Sequence, residues 1–532
     1  MSPKNEVLPL NFLCLKYVSN ILIHVLSDDE GKNYLTVEKY LLDATYEVIQ
    51  DLLKLILNTE NLDASTRFSC LHVLLREDVR RVDTGVFPHS YYEKIMEILK
   101  EKCGSLQHLN LKGVWVREHP NLLSDLLTKL KYLRVLIMPH IPDDLVLETT
   151  LKLSKLSVLD ISGECAFSEN ALRRLRSTSI NILHIGMYGV LDISGECAFS
   201  ENALRRLRST SINILHIGMY GKCAFSENAL RRLRSTSINI LHIGMYGKKE
   251  ICQDGDSTEV MADVILQLPN LNVLKIYSFT GSALLKLYKR LPEYKTKLTY
   301  IHDTDTDKEI LEAIVHLCPK LQSVNFNNPQ DGVLCSLGRL KCLNSLKLSR
   351  PIYRDLACYL AKSGGRLQVL KLNLIKENRI DVSEVCMYAP ELQTLECFKL
   401  SLCCLQPDNY FMNLHTVEIL YCDVSANVLR YLLMNTPFLR RIVVGDVIMM
   451  TDGDIFRLCA DCEFQCLEEL WFSSARCLTA TSVELLMGHC RNLRVLGQLS
   501  GWDVTPNDMD YLRTVIMSSN LDLTLLPVGV FP

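Results

Sequence analysis

Apolar residues recur along most of the chain in the pattern L-x-x-L-x-L, with mostly polar residues between them. Alternation of this kind predicts a short strand with one buried face, because successive side chains of a strand point to opposite faces. Examples are LQHLNL from Leu106, LNVLKI from Leu271 and LQVLKL from Leu367. The second apolar position of each pattern marks one predicted strand.

Most of the predicted strands follow one another at steps of 22 to 28 residues. Such a step accommodates a strand, a turn, a short helix and a return loop. We therefore predict an α/β leucine-rich-repeat solenoid, a horseshoe with parallel strands on the concave face and helices on the convex face. The markers are Val82, Leu109, Leu136, Leu159, Leu183, Leu215, Leu241, Leu274, Ile301, Val324, Leu346, Leu370, Leu395, Val417, Ile442, Leu470 and Leu496, with a final one near Leu523.

One stretch, SENALRRLRSTSINILHIGMYG, is repeated verbatim at Ser168–Gly189, Ser200–Gly221 and Ser226–Gly247. The fold requires only the apolar positions, so perfect copies indicate a recent duplication or an error of sequence assembly. Leu183 and Leu191 are 8 residues apart, fewer than the roughly 20 that one repeat needs. We expect an irregularity in the ladder between Gly186 and Ile193.

Composition narrows the functional classes. The net charge is -3 over 532 residues, of which 48% are hydrophobic, so neither disorder nor general attraction to nucleic acid is expected. No uninterrupted apolar run approaches ~18 residues, and we expect no membrane span. The N-terminus has no secretory pattern and the chain has 21 cysteines, which predicts reduced, mostly buried thiols and a cytoplasmic or nuclear location.

Motifs for catalysis or for metal binding are not found in the sequence. There is no nucleotide-binding glycine loop, no G-x-S-x-G and no H-E-x-x-H, so we predict a protein that is not an enzyme and uses no cofactor. Cys459, Cys462 and Cys466 have C-x-x-C spacing without a second pair, and we expect core packing there rather than a zinc site. The same packing role is predicted for Cys103, Cys318 and Cys490 at repeat ends.

The concave face is where repeat arrays usually bind partners. The copies would place three histidines there in a row, either as a pH-sensitive or metal-binding group or as one surface residue copied with its surroundings. Basic and aromatic residues farther along suit an acidic or mixed peptide of an unidentified protein partner; the alternative is an ordinary solvated face. The candidates are His184, His216, His242, Lys275, Lys347, Lys371, Phe398 and Trp471.

Residues 1–60 lack the repeat pattern and precede the array at 61–532, which contains the near-verbatim copies at 158–247. We predict two helices in the N-terminal segment, Leu10–Val25 and Thr36–Leu57, joined by the polar loop SDDEGKN. Helices fused ahead of a solenoid commonly cap its core. The simplest interpretation is therefore an N-terminal helical cap.

A more specific interpretation comes from PLNFLCLKYV, which resembles the BC box, a helical motif of form L-x-x-x-C-x-x-x-Φ that binds Elongin C. Leu10, Cys14 and Val18 match the motif and share one helix face by their spacing. A BC box followed by leucine-rich repeats resembles the Zyg-eleven and PRAME-like substrate receptors of cullin-2 ubiquitin ligases. The resemblance implies adaptor binding to Elongin C and B through these three residues.

In that family a cullin box follows, and EVIQDLLKLIL lies at the corresponding place, so the resemblance suggests cullin contacts by Val48, Ile49 and Leu52. It implies a substrate-recognition subunit whose repeats hold a target protein. Two alternatives remain open. One is a scaffold whose helices only cap the array, and the other is an F-box protein, since LPLNFL from Leu8 begins with Leu-Pro.

Overall fold

The computed structural model describes most of the chain, with gaps that are largest within the copied region. The described residues are 4, 9–27, 33–59, 62–115, 119–139, 143–162, 179–188, 212–220, 233, 235–246, 257–276, 279–375, 379–406, 408–462 and 464–528. Two compact units divide the chain. We call Leu8–Tyr277 the N-terminal unit, and Ser278–Pro532 together with Met1–Val7 the C-terminal unit.

In the N-terminal unit the described strands pair in parallel and in chain order. They are β1 (Arg81–Asp83), β2 (His108–Asn110), β3 (Val135–Ile137), β4 (Val158–Ile161), β5 (Ile182–Tyr188), β6 (Ile214–Tyr220), β7 (Ile240–Tyr246) and β8 (Val273–Lys275). Parallel strands of this kind are joined by crossover connections and not by tight hairpin turns.

The C-terminal unit repeats this parallel arrangement. Its ladder consists of β9 (Tyr300–Thr304), β10 (Ser323–Asn327), β11 (Ser345–Ser349), β12 (Val369–Asn373), β14 (Thr394–Phe398), β16 (Thr416–Leu420), β18 (Arg441–Val447), β19 (Glu469–Thr479), β20 (Val495–Gly497), β21 (Trp502–Asp503) and β22 (Thr524–Leu526). A small parallel sheet is formed by β13 (Ile380–Asp381), β15 (Ser401–Cys403) and β17 (Asp423–Val424).

Helices precede the first strand and then connect many of the strands. In the N-terminal unit they are α1 (Leu10–Ser27), α2 (Tyr34–Leu41), α3 (Tyr46–Leu57), α4 (Ala64–Leu74), α5 (Tyr92–Lys102), α6 (Pro120–Lys129), α7 (Asp144–Leu151) and α8 (Ser257–Gln267). In the C-terminal unit they are α9 (Thr280–Arg290), α10 (Lys308–Leu317), α11 (Tyr353–Ser363), α12 (Val382–Tyr388), α13 (Ala426–Met434), α14 (Asp452–Asp461), α15 (Ala480–His489) and α16 (Pro506–Ser518). Short 3-10 helices occupy His89–Tyr91, Leu334–Arg339, Gly364–Arg366 and Leu499–Gly501.

The ladder confirms the predicted α/β leucine-rich-repeat fold. All seventeen named markers lie in strands, and none of them is more than 2% exposed. Within each unit every marker is the register partner of the next, as Leu370 is of Leu395. The last rung is Leu525, paired with Leu496, two residues beyond the expected place. One continuous stack of apolar side chains therefore forms the core of each unit.

The copied strands enter the ladder side by side. β5 pairs with β6 over seven residues, including Leu183 with Leu215, and β6 pairs in the same way with β7. The other edge of β5 is occupied by β4, so the rung after Leu183 is Leu215. The irregularity was expected between Gly186 and Ile193; within that range residues 186–188 belong to β5, and residues 189–193 lie outside the described residues.

The N-terminal helices differ from the prediction of two. α1 forms as expected, but the second predicted helix is divided into α2 and α3, and α4 follows before the first strand. The Arg76 guanidinium explains the break between α2 and α3, because it donates to the carbonyl oxygens of Leu41 at 3.1 Å and Ala44 at 2.9 Å. It thereby supplies the partners that carbonyls at a helix end lack.

α3 caps the first strand through one side chain. The Gln50 amide nitrogen donates to the Arg81 carbonyl at 2.6 Å, and the Gln50 amide oxygen accepts from the Arg81 N–H at 2.9 Å. These two bonds take the place of a neighbouring strand at an exposed sheet edge. Hydrogen bonds from the Gln50 side chain to the backbone of β1 thus hold the predicted N-terminal helical cap to the ladder.

The repeat-end cysteines are core residues, as predicted. Cys103, Cys318 and Cys490 are each at most 1% exposed. Burial raises the pKa of Cys103 and of Cys318 to about 12, because a thiolate is costly in an apolar environment. These thiols are therefore neutral packing groups.

Candidate functional site

Helix α1 has one face against the protein and one face open. Its buried residues are Ser19, Leu22 and Leu26, and the helix contacts α3 and α4. These positions lie on one side because they recur at intervals of three and four residues. The BC-box residues Leu10 and Cys14, which the sequence predicts to bind an adaptor, are exposed on the opposite side of the helix.

The open side of α1 is mostly apolar, and the exposed His24 lies on the same side in the last turn of the helix. The apolar residues of this side recur at helical spacing, and among them Leu10 is 76% exposed and Tyr17 is 69% exposed. A contiguous exposed apolar stripe of this kind typically marks an interaction site. We call it the α1 face, and it consists of Leu10, Leu13, Cys14, Tyr17, Ile21 and Val25.

The three predicted adaptor-binding residues fall on or beside this face. Leu10 and Cys14 are exposed on it, whereas Val18 is half-buried at its margin. Leu10 lies at the first residue of the helix, and its side chain makes little contact with the rest of the chain. The sequence pattern did not single out Tyr17 and Ile21, although the same i, i+3, i+4 spacing from Leu10 and Cys14 would have found them.

Exposed apolar residues continue beyond α1. Leu35 and Tyr40 of α2 are 81% and 83% exposed, and Leu42 beside them is also exposed. α2 is held by its buried residue Val37 and by the Lys102 ammonium of α5, which forms a 2.5 Å ion pair with Glu38. The N-terminal helices therefore present some apolar side chains outward while other apolar side chains and polar contacts hold them in place.

The three residues predicted for cullin contact divide between surface and core. Ile49 and Leu52 are fully buried at 0% exposure, and Val48 is 38% exposed. Burial follows from the helix period, because Ile49, Leu52, Leu53 and Ile56 recur at intervals of one, three and four residues on the inner side of α3. Only Val48 is therefore accessible to a partner without unpacking the cap.

The expectation that no segment could span a membrane needs a correction. Among the described residues α1 is long enough and, with a mean hydropathy of 1.4, apolar enough to cross a bilayer by length and composition. The search for an uninterrupted apolar run missed it because Lys16, Asn20 and His24 interrupt the sequence. The helix lies near the N-terminus, and 17% of it is buried against the protein.

The three copied histidines meet on the open face of the N-terminal ladder, as predicted. His184 and His216 stack in parallel with ring centroids 4.5 Å apart, and the His242 ring stands edge-on to His216 at 5.2 Å. Neighbouring register positions explain the contact, since His184, His216 and His242 occupy consecutive rungs. Asp160 and Lys275 occupy the rungs at either end.

Their electrostatic environment favours the neutral form of the central ring. Burial, as the largest cause, together with the neighbouring His184, His242 and Lys275 lowers the pKa of His216 to about 4. Burial and Lys275 also lower the pKa of His242. At the other end Asp160 lies 3.6 Å from the Nδ1 of His184. Among the described residues no three potential metal ligands converge.

In the C-terminal unit the predicted basic and aromatic residues surround a surface pocket. Lys347, Lys371 and Phe398 line it together with Glu396 and Glu418. The Lys371 ammonium is paired with the Glu396 carboxylate at 2.6 Å, so the surface is mixed rather than uniformly basic. An exposed aromatic side chain, Tyr421, stands edge-on to Phe398 at 5.3 Å.

Trp471 is not the exposed anchor that the sequence suggested. It is 5% exposed, because the strand beside it carries Gly497 at the facing position. A Cβ on Gly497 would lie 2.0 Å from the Trp471 ring, so the indole occupies the space that a side chain would need. The indole N–H donates to Glu469 at 3.2 Å. Trp471 therefore packs against the neighbouring strand at Gly497 and is not exposed to a partner.

Comparison with known proteins yields structural neighbours only. No family model and no curated protein sequence matches the chain. It is similar to a chain of the yeast Rad7 and Elc1 complex, with 12% identity, a TM-score of 0.38 and coverage of 89% of this chain and 95% of that one. A chain of the mouse RP105/MD-1 complex gives 12% identity and a TM-score of 0.41 over 86% of this chain and 80% of that one. An internalin, InlF from Listeria monocytogenes, gives 15% identity and a TM-score of 0.32 over 77% and 89%. The fold assignment therefore rests on the ladder of this chain itself.

Proposed function

We propose that this chain is a protein-interaction subunit that docks on Elongin C through the α1 face and so joins an Elongin and cullin ubiquitin ligase. The observation that carries the proposal is the exposure of Leu10 and Cys14 at the start of an apolar helix stripe. Those two positions are the leading residues of the BC-box pattern. The ladder would then hold the target protein.

The geometry of α1 suits helix-in-groove recognition, in which apolar side chains at helical spacing enter a hydrophobic groove. Leu10, Cys14 and Tyr17 provide such a set at one end of the helix. Tyr17 offers a large amphipathic contact area, a property enriched at binding hot spots. The opposite face is already packed against the cap, so binding requires no rearrangement of α1.

The remaining parts of the ligase proposal concern the cullin and the target. For the cullin, Val48 of α3 is the accessible member of the three residues that the cullin-box resemblance suggests. For the target, the pocket around Lys371, Glu396 and Phe398 suits a peptide of mixed charge with an apolar residue. We propose a non-catalytic role in the cytoplasm or nucleus.

The scaffold alternative makes the N-terminal helices a cap and nothing more. α3 performs that role through Gln50, but a cap does not require the outward apolar face of α1. Burial of Leu10 against the first repeat would be expected if capping were its purpose. The F-box alternative uses the same segment, from Leu8, and differs in its adaptor, Skp1 instead of Elongin C.

Substitution of Leu10 by Ala separates these alternatives. If Leu10 enters a pocket of Elongin C, Leu10→Ala should cost about 2 kcal/mol or more of binding free energy, roughly thirtyfold in affinity. The melting temperature should not change, because 76% of this side chain is exposed in the chain alone. Titration of purified Elongin B and C with the full chain measures the first quantity, and a thermal melt measures the second.

Leu35→Ala is the matched control, since it removes the same atoms from an equally exposed position of the next helix, outside the motif. We expect it to bind Elongin C like the unmodified chain. An early melt of Leu10→Ala without any Elongin binding in the unmodified chain would favour the cap-only scaffold. Equal weakening by both substitutions would show that the BC-box pattern does not define the contact.

A further inference from the structure

Two cysteines from neighbouring repeats of the C-terminal unit lie in contact. The Sγ atoms of Cys335, in the 3-10 helix Leu334–Arg339, and Cys358, in α11, are 2.8 Å apart. A disulfide requires about 2.05 Å between sulfurs. A shift of less than about 1 Å would therefore bring the two atoms to bonding distance.

Hydrogen bonds on either side of the two cysteines hold their repeats together. Leu334, next to Cys335, donates its backbone N–H to the Asp355 carboxylate at 2.9 Å. Asp355 is 5% exposed and lies one turn before Cys358 on α11. The Arg366 guanidinium donates to the Lys341 carbonyl at 2.9 Å and closes the other end of the same pair of repeats. The thiols are thus held together by contacts that do not involve sulfur.

The surroundings make the two thiols unequal. The hydrogen bond from Cys335 lowers the pKa of Cys358, and Lys362, one turn further along α11, lowers it as well. Burial, as the largest cause, together with the neighbouring Cys358 and Asp355 raises the pKa of Cys335 to about 11. Both residues are partly exposed. Cys358 is consequently the nucleophile of the pair, since the thiolate is the reactive form.

We propose that Cys335 and Cys358 form a reversible intramolecular disulfide when a peroxide acts as the oxidant. The Cys358 thiolate attacks one peroxide oxygen, the O–O bond breaks, and a sulfenic acid and hydroxide result, the hydroxide taking up a proton as water. The Cys335 sulfur then attacks the sulfenic sulfur, displaces hydroxide, and loses its proton to it as a second water. A dithiol reductant returns both thiols by exchange.

The disulfide would join two successive repeats covalently on the side of the ladder that carries the helices. Such a bond restricts the unfolded chain and the separation of neighbouring repeats. Because the pair lies in the C-terminal unit, this modification is independent of the α1 face and of the adaptor proposal.

Peptide mapping of the full chain after treatment with hydrogen peroxide tests the proposal. We expect non-reducing digestion and mass spectrometry to recover Cys335 and Cys358 in one cross-linked species that a dithiol reductant separates. These thiols should be lost at least ~tenfold faster than that of Cys342, an exposed cysteine of the same unit. The proposal would be overturned if Cys342 were oxidised while Cys335 and Cys358 still reacted with an alkylating agent. It would also be overturned if the cross-links joined cysteines at random and did not favour this pair.

Variants give a second, separate readout. In Cys335→Ser the sulfenic acid on Cys358 has no resolving thiol, so a sulfenic-acid-specific probe should label Cys358, whereas Cys342→Ser should leave the cross-link unchanged. Lys362→Met should shift the pH dependence of Cys358 oxidation upward, because it removes a cation that stabilises the thiolate. In a Cys358→Ser chain Cys335 has lost its partner. If Cys335 then cross-linked to other cysteines as fast as it cross-links in the unmodified chain, the assigned pair would be wrong.

Discussion

Truncation of Leu52 distinguishes a core residue of the cap from a cullin contact. Leu52 is 0% exposed on the inner side of α3, so Leu52→Ala removes three buried carbon atoms and leaves a cavity. Such changes cost about 2–5 kcal/mol. Val48 is 38% exposed on the same helix, and Val48→Ala should change stability by no more than about 0.5 kcal/mol.

Hydrogen exchange measured by mass spectrometry resolves this difference locally. A loss of about 2 kcal/mol speeds exchange through local opening by roughly thirtyfold, and we expect that increase in α1 to α4 for Leu52→Ala. Val48→Ala should exchange like the unmodified chain. The reasoning would be refuted if both variants exchanged alike and Leu52→Ala selectively lost cullin binding, since Leu52 would then act at a surface.

Three further predictions follow from other contacts. Because the pKa of His216 is lowered to about 4 in the folded chain, the unfolded chain binds a proton first as pH falls from about 6.5. The urea midpoint should therefore drop between about pH 6.5 and pH 4, and His216→Asn should reduce this drop more than His489→Asn, an exposed control. Gly281→Ala should destabilise the C-terminal unit by about 1–3 kcal/mol, because its Cβ would lie 2.3 Å from Asp303 Oδ2; Gly365→Ala, with no atom within 4 Å, is the control in thermal melts. Cys14→Ala should weaken Elongin binding less than Leu10→Ala, since it removes one sulfur atom from the contact; equal losses in the same titration would contradict this order.

The ladder could be predicted from the sequence because the buried position of each strand must be apolar in every repeat. Val82 and Leu496 obey that rule at the two ends of the array as Leu370 does in its middle. The packing of Trp471 could not be predicted in this way, because it depends on Gly497 in the next repeat. Contacts between repeats join residues more than twenty positions apart, and alternation within one strand carries no information about them.

The N-terminal helices also combine features that the sequence predicts with features that depend on distant residues. Apolar spacing predicted α1 and the end of α3, since both follow the helix period. The break after α2 depends on Arg76, which lies beyond the helices it separates. Which face of α1 is buried also depends on α3 and α4. The sequence indicated Leu10 and Cys14 through a motif, and helical spacing alone places Tyr17 and Ile21 on the same face. That this face is the exposed one depends on the packing of α1 against α3 and α4.

The central claim is that the α1 face binds Elongin C. Affinity purification of the full chain from cells, with its partners identified by mass spectrometry, tests it most directly. The account predicts that Elongin B and Elongin C are recovered with the unmodified chain and with Leu35→Ala, and are strongly depleted with Leu10→Ala. Recovery of Skp1 in their place, or of neither adaptor with the unmodified chain, would contradict it.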